Sequence, residues 1–241
     1  MKNTVFVCLL ALASLLATSA KAQSCGNDSI YKLPYKNTYV KSTLAADNEF
    51  RTMRPTYMEI PTFETAKKIL PVPIWAGHEK EIEMYWKAWE IGVGNIRNPQ
   101  PGSGFVSPYI DTAYNGNIFM WDSAFILMFA RYGERFFPFQ KTLDNFYAKQ
   151  HPDGFICREI MANGADCFER YDPTSTGPNL LPWCEMIYYH QFGDTERLHK
   201  IFPALCGYYE WLRLNRTWRN GTYWTSGWGT GMDNMPRVPS E

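Results

Sequence analysis

Histidine is scarce in this chain, and no metal-ligand spacing is present. Its 241 residues include four histidines, His78, His151, His190 and His199, none of which forms an HxxxH pair. None of the six cysteines stands at CxxC spacing. A structural zinc site therefore has no spacing to rest on, and no metal or other cofactor is expected. Net charge is also lacking. Lys and Arg total 24 against 24 Asp and Glu, and the basic residues are scattered, so there is no field to hold a phosphate backbone and nucleic acid is not an expected partner. No later run reaches the ~18 consecutive apolar residues of a membrane helix.

What is present is a folding composition, 45% apolar, 20% charged and 16% aromatic. The first 22 residues differ from the rest. Lys2 precedes an apolar run from Val5 to about Ala17, and Ala20-Lys21-Ala22 stands before Gln23. This pattern is that of a secretory signal peptide cleaved after Ala22. The mature chain is then expected to be secreted or periplasmic, with no membrane segment. Lipidation at Cys25 is disfavoured by the Ala22-Gln23-Ser24 approach. Loss of Cys8 leaves five cysteines, an odd number that makes no disulfide framework. Cys157 and Cys167, flanking a Gly/Asn/Asp-containing loop, are the pair expected to bridge, while Cys184 and Cys206 lie in apolar helical pattern and read as small core residues.

Residues 23–75 read as an irregular lead-in with one or two short strands. A helical period then takes over. His78 to Ile96 is amphipathic, with Glu79, Glu81 and Glu83 in its early turns. Phe119 to Tyr132 is apolar almost throughout and is expected to be enclosed on all sides. Phe139 to Gln150 stops at the His151-Pro152-Asp153-Gly154 turn, Leu181 to Phe192 ends at Gly193, and Thr195 to Asn215 follows with Pro203 best placed to begin a second helix. The pattern of an apolar helix ending at Tyr132-Gly133-Glu134, followed by an amphipathic one, recurs at Phe192-Gly193-Asp194. That offset of about 60 residues suggests an array of αα-hairpins, and an ordinary helical bundle would give the same periodicity.

Long connections rich in Gly, Pro, Trp and Tyr are where chemistry is to be sought. Trp121-Asp122 opens the enclosed helix and sets a flat apolar face beside an acceptor, which suits a sugar ring; a capping Asp122 and a core Trp121 would look the same. Arg158 and Glu159, within Gly154-Phe155-Ile156-Cys157-Arg158-Glu159, suit clamping a diol and equally a surface ion pair. Trp183, in Asn179-Leu180-Leu181-Pro182-Trp183, reads as a stacking face or as core. In Ser226-Gly227-Trp228-Gly229-Thr230-Gly231-Met232-Asp233-Asn234-Met235-Pro236-Arg237, three glycines let the backbone turn around one carboxylate. Trp228 offers a stacking face, and Arg237 follows Asp233 by four residues. Asp233 serves as an acid if apolar neighbours raise its pKa, or as a hydroxyl ligand if Arg237 keeps it ionised.

Taken together and in this order, these four motifs resemble the six-hairpin glycosidases of the trehalase, processing α-glucosidase I and mannosylglycerate hydrolase type, and the match runs from about Trp75 to Arg237. The resemblance implies an all-α (α/α)6 toroid that hydrolyses a glycosidic bond with inversion, on an oligosaccharide or small glycoside, expected to be an α-glycoside. Asp233 would be the general acid. Trp121 and Asp122 would hold the sugar at the cleavage point, Arg158 and Glu159 would line the same pocket, and Trp183, Trp228 and Arg237 would shape it. The family's general base is a Glu on the second half of the barrel, and this chain offers no candidate; Glu185 and Glu210 lie in helical pattern and read as structural. Residues 76–241 are thus expected to form the first part of such a domain, a partial chain whose missing partner is the C-terminal half of the barrel and which alone is inactive. A non-catalytic carbohydrate-binding helical module is the competing expectation.

Overall fold

The computed structural model of the chain describes residues 41–112 and 115–230. The expected signal peptide, Cys25 and the 231–241 segment with Asp233 and Arg237 lie outside the described residues.

The described part of the lead-in, from residue 41, forms helical turns where short strands were expected, because each turn has its own cap. Ser42 accepts a hydrogen bond from the Ala45 backbone and starts α1 (Thr43–Ala46). Asn48 caps a 3-10 turn at Glu49–Thr52, and Thr62 caps α2 (Phe63–Lys67). With donors satisfied locally, these segments need no partner strand. Buried Asn48 also gives its Nδ2 to the Tyr147 carbonyl and to Gln150 Oε1, both at 2.8 Å, tying the lead-in to the domain.

The expected helices are present. The amphipathic α3 spans Glu79–Gly94 and turns Trp89 inward, where its ring meets Phe129, Phe136 and Phe139 at 5.2 to 6.2 Å. The apolar α4 spans Met120–Ala130 and ends in a 3-10 turn at Arg131–Gly133. A 3-10 turn at Phe139–Lys141 leads into α5 (Thr142–Ala148). The next pair is α6 (Leu181–Phe192), stopped by left-handed Gly193 at φ 68°, and α7 (Thr195–Asn215), capped by Asp194. Two small antiparallel sheets join the helices: β1 (Ile96–Arg97) pairs with β2 (Tyr109–Ile110), and β3 (Ile118–Phe119) with β4 (Glu159–Ile160).

α4 packs on α5 and α6, and α6 on α7, so the chain has an all-α fold of helical hairpins. The repeat seen in sequence has a physical join. Cys184 Sγ donates to the Ala124 carbonyl at 3.8 Å, across 60 residues, where the two apolar helices meet. A buried ion cluster locks α5, α6 and α7 together. Arg197 reaches Asp144 at 2.9 Å and Glu185 at 2.7 and 2.8 Å, and Glu185 also accepts from Gln140 and Tyr147, each at 2.9 Å. Glu185 is therefore structural, as its helical pattern implies, and Glu210 pairs with Arg213 at the surface.

Three further expectations are corrected. α7 is one continuous helix with Pro203 inside it. The lost backbone hydrogen bond, a cost of about 3 kcal/mol, is outweighed by a buried stripe of Ile201, Ala204, Tyr208 and Trp211 running through the proline. α4 is not enclosed. Ala124, Leu127 and Ala130 are buried, whereas Phe125, Met128, Phe129 and Tyr132 are 36 to 54% exposed, because the described neighbours cover only one side. Cys157 and Cys167 are free thiols. The Cys167 N–H bonds to the Glu159 carbonyl, so Cys167 lies opposite Glu159 and not Cys157, whose Sγ turns to the Phe168 carbonyl.

Candidate functional site

The site forms where β3 runs into α4. Phe119 ends the strand with extended backbone and caps the helix without a side-chain bond, while the Met120 N–H continues the ladder to the Arg158 carbonyl at 2.8 Å. Trp121 and Asp122 thus fall in the first turn of α4, at the end of the sheet that carries Arg158 and Glu159. The N-cap is Phe119 and not Asp122, whose carboxyl instead accepts from its own backbone N–H in the first turn.

Arg158 is held from three directions. Its N–H meets the Ser175 carbonyl at 2.9 Å, its Nε donates to the Thr174 carbonyl at 2.6 Å, and its guanidinium lies 4.5 Å over the Phe168 ring. So fixed, it shares a pocket of about 150 Å³ with Trp121, Asp122, Gly177, Pro178 and Gly229. Burial pushes the Asp122 carboxyl above its ordinary value; the Glu159 charge adds to the rise, and Arg158 opposes it. The pocket therefore presents an acceptor, a fixed cation and an aromatic face within one small volume.

Glu159 stands opposite Phe119 in the sheet and accepts from Asn117 Nδ2 at 2.8 Å. It supports the pocket electrostatically from behind and is not part of its wall. Trp183, in the first turn of α6, meets Phe125 at 5.8 Å, and Phe125 meets Trp121 at 5.4 Å. This makes an aromatic strip leading away from the pocket. Trp228 is 56% exposed and opens a 3-10 turn at Trp228–Thr230; its neighbour Gly229, not Trp228 itself, reaches the pocket. Glycine is required at 229 because a Cβ there would come within 2.6 Å of the Thr176 carbonyl and 2.5 Å of Thr225 Oγ1.

Of the residues singled out from the sequence, the fold brings Trp121, Asp122 and Arg158 together and places Glu159 and Trp183 around them. Asn117, Phe168, the Thr174–Pro178 segment and Gly229, which also build the pocket or its support, were not among them. Their only signal was membership of Gly- and Pro-rich connections, since backbone carbonyls and close approaches leave no residue-type signature. Asp233 and Arg237 lie outside the described residues.

A further buried cluster lies close by in sequence. His151 Nε2 is 2.6 Å from Asp166 Oδ2, Arg170 contacts His151 Nδ1, and Trp211 Nε1 donates to Asp153 Oδ2 at 2.6 Å. These groups bond to one another across the turn at Gly154 and hold the loop that delivers Arg158. Among the described residues, no group of three His, Cys, Asp or Glu side chains is placed to hold a metal ion, and no helix is long and apolar enough to cross a membrane.

The family model of the mannosylglycerate hydrolase MGH1-like glycoside hydrolase domain matches residues 115–241. Neither a curated protein nor a solved structure shows significant similarity to the chain. The matched region begins just before β3 and includes every element that builds the pocket, as well as the Asp233 segment. The chain belongs to the MGH1-like glycoside hydrolase family.

Proposed function

We propose that the chain carries the proton-donor side of an inverting glycosidase acting on an α-glycoside, either an oligosaccharide or a small glycoside. Asp233 is the general acid. Its carboxyl proton passes to the glycosidic oxygen as the bond to the anomeric carbon breaks. Water attacks that carbon from the opposite face and loses its proton to a second carboxylate, about 6.5–9.5 Å from the first. No residue of this chain is assigned as that base. Trp121 and Asp122 hold the sugar ring, Arg158 fixes hydroxyls beside it, Glu159 sets the field behind Asp122, and Trp183, Trp228 and Arg237 shape the surroundings.

The observation that carries this reading is the position of Gly229 in the pocket wall beside Asp122 and Arg158. Asp233 follows it by four residues, a reach of at most about 14 Å. That short separation in sequence supports the assignment of Asp233 to the same site. The family model is named for a mannosylglycerate hydrolase, which makes α-mannosides the first substrates to try.

Binding and hydrolysis of α-mannosides and α-glucosides are measured together, by calorimetry and by NMR. The released sugar is expected first as the β anomer. Asp233→Asn should retain binding while hydrolysis falls about a hundred- to ten-thousand-fold. Hydrolysis that survives in Asp233→Asn, or an α anomer appearing first, overturns the proposal. Because no base is assigned to this chain, hydrolysis is read on the protein that also carries the base; saccharide binding with no hydrolysis there favours a carbohydrate-binding module instead. The N-terminal pattern supports export, to be checked by whether the secreted protein begins at Gln23.

A further inference from the structure

His151 sits in a corner that a charged imidazole does not fit. It follows α5, begins the turn to Gly154 and is 7% exposed, with its ring 5.2 Å from that of Phe155. One ring nitrogen, Nε2, is 2.6 Å from Asp166 Oδ2, and the other, Nδ1, is in contact with the Arg170 guanidinium. A guanidinium only donates, so Nδ1 accepts, and the single imidazole proton is on Nε2 and is given to Asp166. Among the described residues, the other charged groups of the cluster are Asp153, 3.6 Å from Arg170 Nε, and Arg216, which donates to the Arg170 carbonyl at 3.3 Å. The Cys157 and Cys167 thiols also face Asp166, and burial pushes both up to about 12, so they stay uncharged near neutral pH.

The two sides of this corner are unequally anchored. The turn that carries His151 is pressed on α7, because a Cβ at Gly154 would strike the Gly207 carbonyl oxygen and Asp153 accepts from Trp211 Nε1 at 2.6 Å. Arg170 instead lies in the connection between β4 and α6, which carries a 3-10 turn at Pro173–Ser175. Its carbonyl accepts from Ser175 Oγ at 2.9 Å. The Ser175 and Thr174 carbonyls in turn hold the Arg158 N–H and Nε. A short chain of contacts thus runs from the imidazole through Arg170 and Ser175 to the cation of the pocket.

We infer that His151 is a positioning residue for Arg158: its neutral imidazole, wedged between Asp166 and Arg170, sets the segment whose carbonyls hold the guanidinium, and a second proton on the ring releases it. A proton on Nδ1 sets two donors against each other, so Arg170 has to withdraw. With Arg170 only 9% exposed, its guanidinium has no open space to swing into, and because the His151 turn is pinned the 170–175 backbone yields instead. Arg158 then loses the fixed geometry that suits it to a ligand. Saccharide binding therefore weakens in acid. That last step rests on the proposed glycosidase reading; the coupling of His151 to Arg158 does not.

Nitrogen NMR on the isotope-labelled full chain tests the coupling. His151 should carry its proton on Nε2 alone at about pH 7.5 and gain a second over the ordinary histidine range, near about pH 6.5. The Arg158 Nε–H signal should shift towards its unbonded position with the same midpoint. A purely structural His151 would lower the melting temperature in acid and leave that signal in place. By calorimetry, affinity for methyl α-mannopyranoside or methyl α-glucopyranoside should fall about tenfold between about pH 7.5 and 5.5 as Arg158 is released. In His151→Asn, whose amide oxygen still accepts from Arg170 but takes no proton, most of that fall should disappear; the remainder belongs to Asp122, which titrates in both chains. An Arg158 signal that stays put while His151 titrates, a His151 that stays neutral over this range or carries its proton on Nδ1, or an equal fall in both chains overturns the inference. If His151→Asn misfolds, the NMR titration of the unaltered chain decides by itself. If the unaltered chain binds neither glycoside at any pH, the glycosidase reading falls, and the NMR titration still decides whether His151 positions Arg158.

Discussion

Arg158 Nε donates to the Thr174 carbonyl at 2.6 Å, and through that one bond a loop distant in sequence decides where the pocket's cation stands. The bond, together with the Phe168 ring beneath the guanidinium, fixes a long side chain that would otherwise lose entropy on meeting a ligand.

This predicts a division of effects at position 158. Arg158→Lys retains the charge but not the planar group that bridges Thr174 and Phe168. It should weaken saccharide binding about tenfold, while Arg158→Ala should weaken it further, both read by calorimetry. The melting temperature should fall only slightly in either variant, since the β3–β4 backbone ladder is untouched.

Asp122 gives a pH-dependent signature. Its carboxyl is raised in the folded chain, chiefly by burial, so folding favours its protonated form. That contribution is present at low pH and is lost as pH rises through the folded pKa. Asp122→Asn should therefore melt higher than the unaltered chain at pH 7, and the difference should shrink as the pH is lowered. The same variant should bind saccharide less well, so stability and binding move in opposite directions. A lower melting temperature at pH 7 would contradict the assignment.

Glu134 offers a second titration, away from the pocket. Burial pushes its carboxyl up to about 7, against the opposing bond from the Gln140 N–H. Because the folded value lies above the unfolded one, stability should decline between about pH 4.5 and 7, by up to about 3 kcal/mol. Urea midpoints measured across this range should decline less steeply in Glu134→Gln.

The ion cluster of α5, α6 and α7 should be intolerant of losing its cation. Arg197→Met leaves Glu185 and Asp144 buried, at 1% and 4% exposure, without their partner. The expected loss is about 3–5 kcal/mol in urea unfolding. Replacing Glu185 by Gln in the same chain should recover part of it, because one of the two stranded charges is then removed.

How much of this was legible in the sequence differs from element to element. The bounds of α6 and α7 were plain because caps and stops are local. Gly193 supplies the left-handed residue that ends one helix, and Asp194 begins the next. Pro203 misled because its local cost is real, and only the buried stripe along α7 outweighs it. The exposed side of α4 was not legible either, since a helix that is apolar all round does not say which of its faces will find a neighbour. The expected disulfide failed on register, a property of the strand pairing and not of cysteine spacing.

Sequence alone determined which residue types were available for sugar chemistry, namely a tryptophan and an aspartate opening an apolar helix and an Arg-Glu pair after a turn, because those choices are written residue by residue. Only the tertiary structure decided that Trp121, Asp122 and Arg158 share one pocket while Glu159 stands behind it. That arrangement depends on the two-residue pairing of β3 with β4 and on backbone carbonyls at Thr174 and Ser175. Pairings and carbonyl positions are the same chemistry in every sequence, so folding alone assigns them.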